Sequence, residues 1–387
     1  MNISFKFATS PAIIFGANKI KLLPELVKQF GHRALIVTGK STFLKSFIAI
    51  ELFQDFEAHG IETQIIRIEG EPSPEQIDRA VSTHRKWNPD VVVAIGGGSA
   101  MDAGKAISAM LCENNSVSSY LEDVGNEIPS GNKLPLIAIP TTAGTGSEAT
   151  KNAVITKAGA DGFKKSLRHD NYVPNLALVD PQLCVTCPPT VTAASGMDAF
   201  TQLLESYLSS NSNPMTDALA LEGMSCLIRS IEKAVEQGND LAARSDMSYA
   251  ALLSGITLAN AGLGVVHGFA QPLGSLYNLP HGVACGTLMG AANRITVEKL
   301  KEDNNQQVLK KYEQVAQLFS SAEKQENKID DLLNYIDRLS AEFRLPKLAD
   351  FGISAADFPE IIAHTGLKNH PINLNPEDLT WILTQRL

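Results

Sequence analysis

The chain has no excess of positive charge, few cysteines and no long apolar run. Its 33 lysines and arginines are outnumbered by 42 aspartates and glutamates, which gives a formal net charge of −9. An acidic protein of this kind is a poor partner for nucleic acid or an anionic membrane. The apolar runs are shorter than the roughly 20 residues of a membrane-spanning helix. The start, MNISFKFATSPAIIFG, lacks a basic segment leading into an apolar one, so we expect no secretory signal.

The cysteine content argues against a disulfide framework. Five cysteines in 387 residues is a small and odd number, which favours a reducing compartment and hence a cytoplasmic protein. Cys184 and Cys187 form a CxxC pair, but the chain has no second pair to complete a zinc site. Two prolines follow the pair where a redox motif would continue into a helix. A structural role is therefore favoured for both cysteines.

The pattern of the chain predicts two domains, because 387 residues exceed what one hydrophobic core usually supports. In the first half, short apolar runs alternate with amphipathic segments. The main runs are ALIVTG at 34–39, TQIIRI at 63–68, VVVAIG at 91–96, LPLIAIP at 134–140 and LALVD at 176–180. This alternation predicts an α/β domain with a parallel sheet over residues 1–182. From about residue 193 the pattern is helical, which predicts an all-α domain over residues 183–387.

A glycine-rich segment, GGGSAMDAGK at residues 96–105, matches neither common phosphate-binding motif. G-x-G-x-x-G fails because Met101 stands at the third glycine position. The Walker A motif fails because the spacing to Lys105 is one residue too long and Ala106 replaces the serine or threonine. Three glycines would still let the backbone approach phosphate oxygens, with Ser99 capping a helix whose free N–H groups face the anion.

A second segment of small residues, PTTAGTGSEAT at 140–150, follows the next predicted strand. Open α/β sheets bind ligands at the carboxyl ends of their strands, so the two segments together predict a nucleotide site. A tight turn between strand and helix is the alternative for each segment.

The end of the strand at 34–39 bears on the choice of nucleotide. It carries Gly39 and Lys40 and no carboxylate that could bind the ribose 2′-OH of NAD(H), which favours NADP(H), although Lys40 could also be a solvated turn lysine. The predicted cofactor residues are Gly39, Lys40, Ser41, Gly96, Gly97, Gly98, Ser99, Asp102, Thr141, Thr142, Thr145 and Ser147.

Three polar residues lie in or beside apolar stretches of the helical half. Asp198 follows SGM, where an unpaired buried carboxylate would be costly, and His267 lies in VVHGFA. His281 follows 14 residues after His267. Each histidine alone is more often a core residue than a ligand. Together with the aspartate they match the carboxylate and two imidazoles that catalytic divalent metals use, but spacing across separate helices leaves both interpretations open.

Five motifs resemble the iron-containing (group III) alcohol dehydrogenase family. They are GGGSAMDAGK, PTTAGTGSE, LVDPQLCVTCPPTVTAASGMDAF, NPMTDALALEG and HGFAQPLGSLYNLPHG. The similarity runs from about residue 10 to the C-terminus. It implies a Rossmann-like nucleotide domain, an all-helical domain, and an active site in the cleft between them. It also implies hydride transfer between NAD(P)(H) and a small alcohol or aldehyde, assisted by a divalent metal, with Fe²⁺ favoured and Zn²⁺ the alternative.

The resemblance assigns roles to the polar residues of the helical half. The family's aspartate and two downstream histidines match Asp198, His267 and His281, and its remaining metal histidine is replaced here by Gln202. Gln271 stands where many members carry a histidine that handles protons, which glutamine cannot do near neutral pH. The predicted metal ligands are Asp198, Gln202, His267 and His281, and the predicted catalytic residues are Asp198, His267, Gln271 and His281.

Two other functions compete with the dehydrogenase. A lyase similar to dehydroquinate synthase would share the nucleotide domain and a metal, but its metal site includes a glutamate. A non-catalytic nucleotide-binding or assembly protein would explain why glutamine stands at positions 202 and 271. For the dehydrogenase we expect a small alcohol or aldehyde as substrate, a homodimer, which is the commonest oligomer, and no nucleic acid or membrane partner.

Overall fold

A computed structural model of the chain describes residues 4–40, 43–157, 162–318 and 328–387. Its strands are β1 (Ala12–Phe15), β2 (Arg33–Gly39), β3 (Glu62–Ile68), β4 (Val91–Gly96), β5 (Leu136–Pro140), β6 (Asn152–Lys157), β7 (Phe163–Arg168) and β8 (Leu176–Val179). Its α-helices in the first half are α1 (Leu23–Lys28), α2 (Phe47–Ala58), α3 (Pro74–His84) and α4 (Gly98–Met110). Those in the second half are α5 (Pro189–Leu208), α6 (Pro214–Glu236), α7 (Leu241–Ala261), α8 (Val265–Tyr277), α9 (His281–Glu302), α10 (Gln306–Ala316), α11 (Lys328–Glu342), α12 (Phe358–Ala363) and α13 (Pro376–Thr384).

Six strands form one parallel sheet in the order β1-β8-β5-β4-β2-β3. The central strands β4 and β5 are buried along their whole length, because helices cover both faces of a parallel sheet. One core cluster lies between the sheet and α4, and another joins the opposite face to α1 and α2. The predicted α/β domain with a parallel sheet is therefore confirmed.

The chain divides into two compact units. One comprises Ala8–Thr142 and Gly146–Cys187, and holds the sheet. The other comprises Pro188–Leu387, Ala143–Thr145 and the described residues before Ala8. After Pro188 the described residues contain helices and no strand, which confirms the all-α character of this half. The domain boundary between residues 182 and 183 stays a prediction.

Local signals fixed several element ends. Ser73 and Gln76 form a capping box at the start of α3, and Asn375 caps α13 in the same manner. The expectation that no helix follows the CxxC pair is wrong, because Pro189 is the first residue of α5. Proline suits that position, since the first helical N–H has no partner within the helix.

Among the described residues, no single helix is both long and apolar enough to cross a bilayer. In the described part of the chain, one pair of consecutive helices, α7 and α8, meets that criterion by length and composition, and the two are bent by 102° at the break between them.

Candidate functional site

The two small-residue segments predicted to bind a nucleotide lie side by side at the ends of β4 and β5. The N–H of Thr141 donates to the carbonyl of Gly96 at 2.9 Å. A Cβ added to Gly97 would lie 3.4 Å from Oγ1 of Thr142. These segments therefore form one surface at the carboxyl end of the sheet, the edge where open α/β folds bind ligands.

The predicted capping role of Ser99 is wrong. Helix α4 begins one residue earlier, at Gly98, and its N-cap is Gly97, which has no side chain to accept from the first N–H groups. Gly96 also has a packing role, because a Cβ there would lie 2.6 Å from the Cβ of Ala100. The start of α4 thus keeps backbone donors that an anionic group could satisfy.

Asp102 and Ser147 belong to a buried network inside the sheet-containing unit. Oδ1 of Asp102 accepts from Oγ of Ser147 at 2.6 Å, and Oδ2 accepts from the N–H of Val154 at 3.1 Å. Lys105 is buried and donates to Ser147 Oγ at 2.6 Å, with Asp102 3.2 Å away. Burial lowers the pKa of Lys105, although Asp102 opposes the shift. The network ties α4 to β6, which gives both predicted cofactor residues a structural role.

Four further predicted cofactor residues have different positions. Gly39 ends β2, and the exposed Lys40 that follows forms an ion pair with Glu69 at 3.0 Å. Sequence reasoning missed Glu69, which offers a carboxylate at the place where none was expected. Thr145 belongs to the short segment that groups with the helical unit. Ser41 lies outside the described residues.

In the helical unit, three helices bring four potential metal ligands together. Asp198 lies on α5, His267 lies in the first turn of α8, and His281 is the first residue of α9. Cys285 follows His281 by four residues, so both side chains lie on one face of α9. One ligand atom from each of the four residues lies within 4.8 Å of the others.

The distances within this cluster are those of groups that could share one cation. Oδ1 of Asp198 lies 3.3 Å from Nε2 of His267 and 3.7 Å from Nε2 of His281. Sγ of Cys285 lies 3.6 Å from Nε2 of His267 and 3.9 Å from Nε2 of His281. The side chain of His281 is 34% exposed, whereas the other three residues are buried, so the cluster is accessible from one side.

A buried carboxylate oxygen indicates that this cluster fits a metal. Oδ1 of Asp198 hydrogen bonds to no group among the described residues, although it is buried and close to both imidazoles. An orphaned carboxylate in the interior is costly, and a cation would satisfy it. Burial alone would raise the pKa of Asp198, but the charges of His281 and His267 outweigh it and the pKa is lowered. Burial raises the pKa of Cys285 to about 12.

Glu205 orients His267 through Nδ1, the ring nitrogen that does not face the cluster. Its Oε2 accepts from Nδ1 of His267 at 2.7 Å, while Oε1 accepts from the N–H of Val266 at 2.7 Å. This hydrogen bond fixes the proton on Nδ1 and leaves Nε2 as the nitrogen that faces Asp198 and Cys285. Carboxylates that hold metal-binding histidines in this way are common in metalloproteins. Glu205 follows Asp198 by seven residues on α5, so both lie on one helix face.

The two glutamines have different surroundings. Gln202 is buried, and its Oε1 accepts from Oγ of Ser254 at 2.9 Å. Its amide oxygen therefore already has one hydrogen-bond partner, and its role as a metal ligand stays a prediction. Gln271 lies one turn after His267 on α8 and is exposed.

Glycines allow α9 to approach α5 closely enough to build the cluster. A Cβ on Gly282 would lie 2.6 Å from the carbonyl oxygen of Ala194, and one on Gly286 would lie 2.8 Å from Cβ of Met197. Both distances are too short for real side chains. Because these two positions carry glycine, the N-terminal turns of α9 pack against α5 beside Asp198.

Sequence reasoning missed Cys285 and Glu205. The spacing of four between His281 and Cys285, and of seven between Asp198 and Glu205, were the available signals.

The whole chain is similar to known dehydrogenases. The family model described as iron-containing alcohol dehydrogenase matches residues 10–181, and the C-terminal model of that family matches residues 192–384. The NAD-dependent methanol dehydrogenase of Bacillus methanolicus is 35% identical over 72% of each chain. The NADPH-dependent butanol dehydrogenase of Clostridium saccharobutylicum is 29% identical over 97% of this chain and 94% of that one.

A solved structure supports the same relationship. The crystal structure of 1,3-propanediol oxidoreductase is 31% identical, covers 99% of this chain and 100% of its own, and gives a TM-score of 0.88. Fold, sequence and a four-residue cluster able to hold a metal therefore agree. The chain belongs to the iron-containing alcohol dehydrogenase family and is an oxidoreductase that acts on alcohols.

Proposed function

We propose that the protein interconverts a small alcohol and its aldehyde, that Asp198, His267 and His281 hold its divalent metal, and that it prefers NADP(H). The observation that carries the metal assignment is the orphaned Oδ1 of Asp198, buried within 3.7 Å of both imidazoles. A divalent cation held there would polarise a carbonyl oxygen or lower the pKa of a bound alcohol.

The chain's own residues supply binding and orientation. Glu205 keeps the proton of His267 on Nδ1, so that Nε2 offers its lone pair to the cation. The partial exposure of His281 leaves one side of the cluster open to a substrate. Gln271 is exposed and has no titratable group, so we propose that protons reach solvent through water and cofactor hydroxyls rather than through this residue.

The nucleotide is the hydride carrier, and the surface at the ends of β4 and β5 supports its binding. We assign the pyrophosphate to Gly96, Gly97 and Gly98 at the start of α4. Gly39 leaves room for a 2′-phosphate, and Lys40 offers it a positive charge. Because Lys40 pairs with Glu69, a bound 2′-phosphate would have to compete with that carboxylate, which makes the preference for NADP(H) moderate.

The remaining proposals concern the setting of the enzyme. The small, odd number of cysteines supports a cytoplasmic protein. A homodimer is proposed on the general frequency of two-fold dimers. The negative net charge supports a small molecule rather than a nucleic acid as the ligand.

The experiment that tests the metal assignment is His267→Ala in the full chain, with His364→Ala as a control at an exposed position outside the cluster. We expect His267→Ala to lose bound metal and to lower turnover at least about 100-fold, because a cation contributes several kcal/mol of charge stabilisation. Metal content by mass spectrometry and nicotinamide absorbance with short-chain aldehydes are the two measurements.

Normal metal content and turnover in His267→Ala would refute the assignment. The same assay separates the rival functions. A lyase would leave the nicotinamide absorbance unchanged with simple aldehydes, and a non-catalytic relative would retain no metal after incubation with Fe²⁺ or Zn²⁺.

A further inference from the structure

We propose that Cys285 is a ligand of the metal in this chain, completing a site of one carboxylate, two imidazoles and one thiolate that selects zinc over iron. The oxygen of a bound substrate would then be a fifth ligand, approaching from the side of the partly exposed His281, because catalytic zinc can become five-coordinate. The inference rests on the proposed metal site and adds a residue that the sequence pattern did not predict. It also changes the expected metal, because Fe²⁺ was favoured on resemblance alone.

The first argument is the distance from sulfur to nitrogen. In a tetrahedral zinc site, Zn–N of about 2.05 Å and Zn–S of about 2.3 Å place ligand nitrogen and sulfur about 3.6 Å apart. Sγ of Cys285 lies 3.6 Å from Nε2 of His267 and 3.9 Å from Nε2 of His281.

The second argument is the distance from oxygen to nitrogen. The same geometry places ligand nitrogen and oxygen about 3.4 Å apart, and the distances from Oδ1 of Asp198 to the two imidazoles are 3.3 and 3.7 Å. Four of the six distances among these atoms therefore agree with one coordination sphere, and all six are within 4.8 Å.

The third argument is that the orphaned Oδ1 of Asp198, which supports the metal site, lies beside this thiol. A buried thiol packed among apolar residues would be an ordinary core cysteine. This thiol instead adjoins a buried carboxylate oxygen that has no hydrogen-bond partner among the described residues. A cation bound by sulfur and oxygen together would satisfy Oδ1 and would replace the contacts of Sγ with the two imidazoles.

Gln202 stands where the family has a metal-binding histidine, and Cys285 offers a replacement for the donor that is lost there. The amide oxygen of Gln202 accepts from Ser254, so that side chain is held by the protein. Cys285 supplies the extra donor from another helix. On binding, Sγ loses its proton to solvent and gives an electron pair to the cation, so the charges of Asp198 and the thiolate balance a divalent ion. Thiolate is a soft ligand that suits zinc, whereas a carboxylate and imidazoles alone suit iron as well as zinc.

The test uses Co²⁺ as the spectroscopic probe in full-length protein stripped of metal by a chelator. The unmodified protein is expected to show the near-ultraviolet charge-transfer band of a thiolate bound to Co²⁺. Cys285→Ser is expected to keep the visible bands of bound Co²⁺ but to lose the charge-transfer band. The control is Cys112→Ser, an exposed cysteine outside the cluster, which is expected to keep both.

Zinc binding gives a second measurement that does not depend on activity. Competition with a chromogenic chelator is expected to show zinc affinity at least about 10-fold lower in Cys285→Ser, the lower end of losses seen for residues that merely support ligands. Under anaerobic competition between Zn²⁺ and Fe²⁺, the same variant is expected to shift its bound metal toward iron.

The outcomes separate this inference from the proposed function. Visible Co²⁺ bands without a charge-transfer band in the unmodified protein would overturn the role of Cys285 and leave the metal site standing. No binding of Co²⁺ or Zn²⁺ at all would overturn both. A charge-transfer band that persists in Cys285→Ser would place the thiolate at another cysteine and overturn the inference. Because the unmodified protein is measured first, a folding defect in the variant cannot hide the answer.

Discussion

Glu205 illustrates how one buried side chain supports a site that it does not touch directly. Both of its oxygens accept hydrogen bonds, one from His267 and one from the N–H of Val266. Burial would raise the pKa of Glu205, but His267 outweighs that effect and the pKa is lowered, so the carboxylate is held ionised. It is thus a positioning residue, acting through His267 rather than on substrate.

Glu205→Gln is expected to weaken metal binding about 10–100-fold while leaving the protein folded. An amide offers one acceptor oxygen where two are needed, so either His267 or Val266 loses its partner, at a cost of about 1–3 kcal/mol. The dissociation constant for zinc, measured by chelator competition, is compared with that of Glu302→Gln, an exposed carboxylate at the end of α9. A loss of thermal stability with unchanged zinc affinity would mean that Glu205 serves the fold only.

Sequence reasoning reaches some of these residues and not others for a chemical reason. An aspartate or histidine in an apolar stretch is conspicuous, because burying it alone is costly, and this made Asp198 and His267 candidates. Cysteine is common in protein cores, so Cys285 carried no such signal. Glu205 was hidden because LLESYL reads as an ordinary amphipathic helix until its partner on α8 is known.

Helix α9 depends on close packing against α5. Gly282→Ala should gain about 0.5–1 kcal/mol of helix propensity, but its Cβ would lie 2.6 Å from a backbone oxygen that cannot rotate away. We expect a net loss of stability of about 1–3 kcal/mol and a zinc affinity at least about 10-fold weaker, since the shift moves His281 and Cys285 away from Asp198.

Thermal unfolding and chelator competition check this expectation. Gly366→Ala is the matched control, because a Cβ there would meet nothing within 4 Å. If Gly282→Ala were as stable and as metal-competent as the control, the contact between α9 and α5 would not be what sets the geometry of the cluster.

The elements themselves were predictable where burial imposes a simple pattern. Strands β2, β4 and β5 are continuous apolar runs, and a strand buried on both faces has that appearance in sequence. The antiparallel pair β6 and β7 was missed because its residues are partly exposed and include several lysines. Its role in anchoring Lys105 and Asp102 arises from contacts between segments about 50 residues apart, which no local pattern contains.

The proposed metal ligands lie in one compact unit and the proposed pyrophosphate residues, Gly96 to Gly98, lie in the other, and this leads to a prediction for the whole molecule. A ligand that binds only the folded state stabilises it by about 2.7 kcal/mol when its concentration is 100 times its dissociation constant.

In the full chain, zinc is expected to slow amide hydrogen exchange in α5, α8 and α9. NADPH is expected to slow it at Gly97–Ala100 and Thr141, and to do so at lower concentrations than NADH. Hydrogen exchange followed by mass spectrometry, on metal-free protein with each ligand added alone, resolves these segments. Slower exchange in α5, α8 and α9 with NADPH but not with zinc would refute the metal site. Equal slowing by NADH and NADPH at every concentration would refute the role assigned to Lys40.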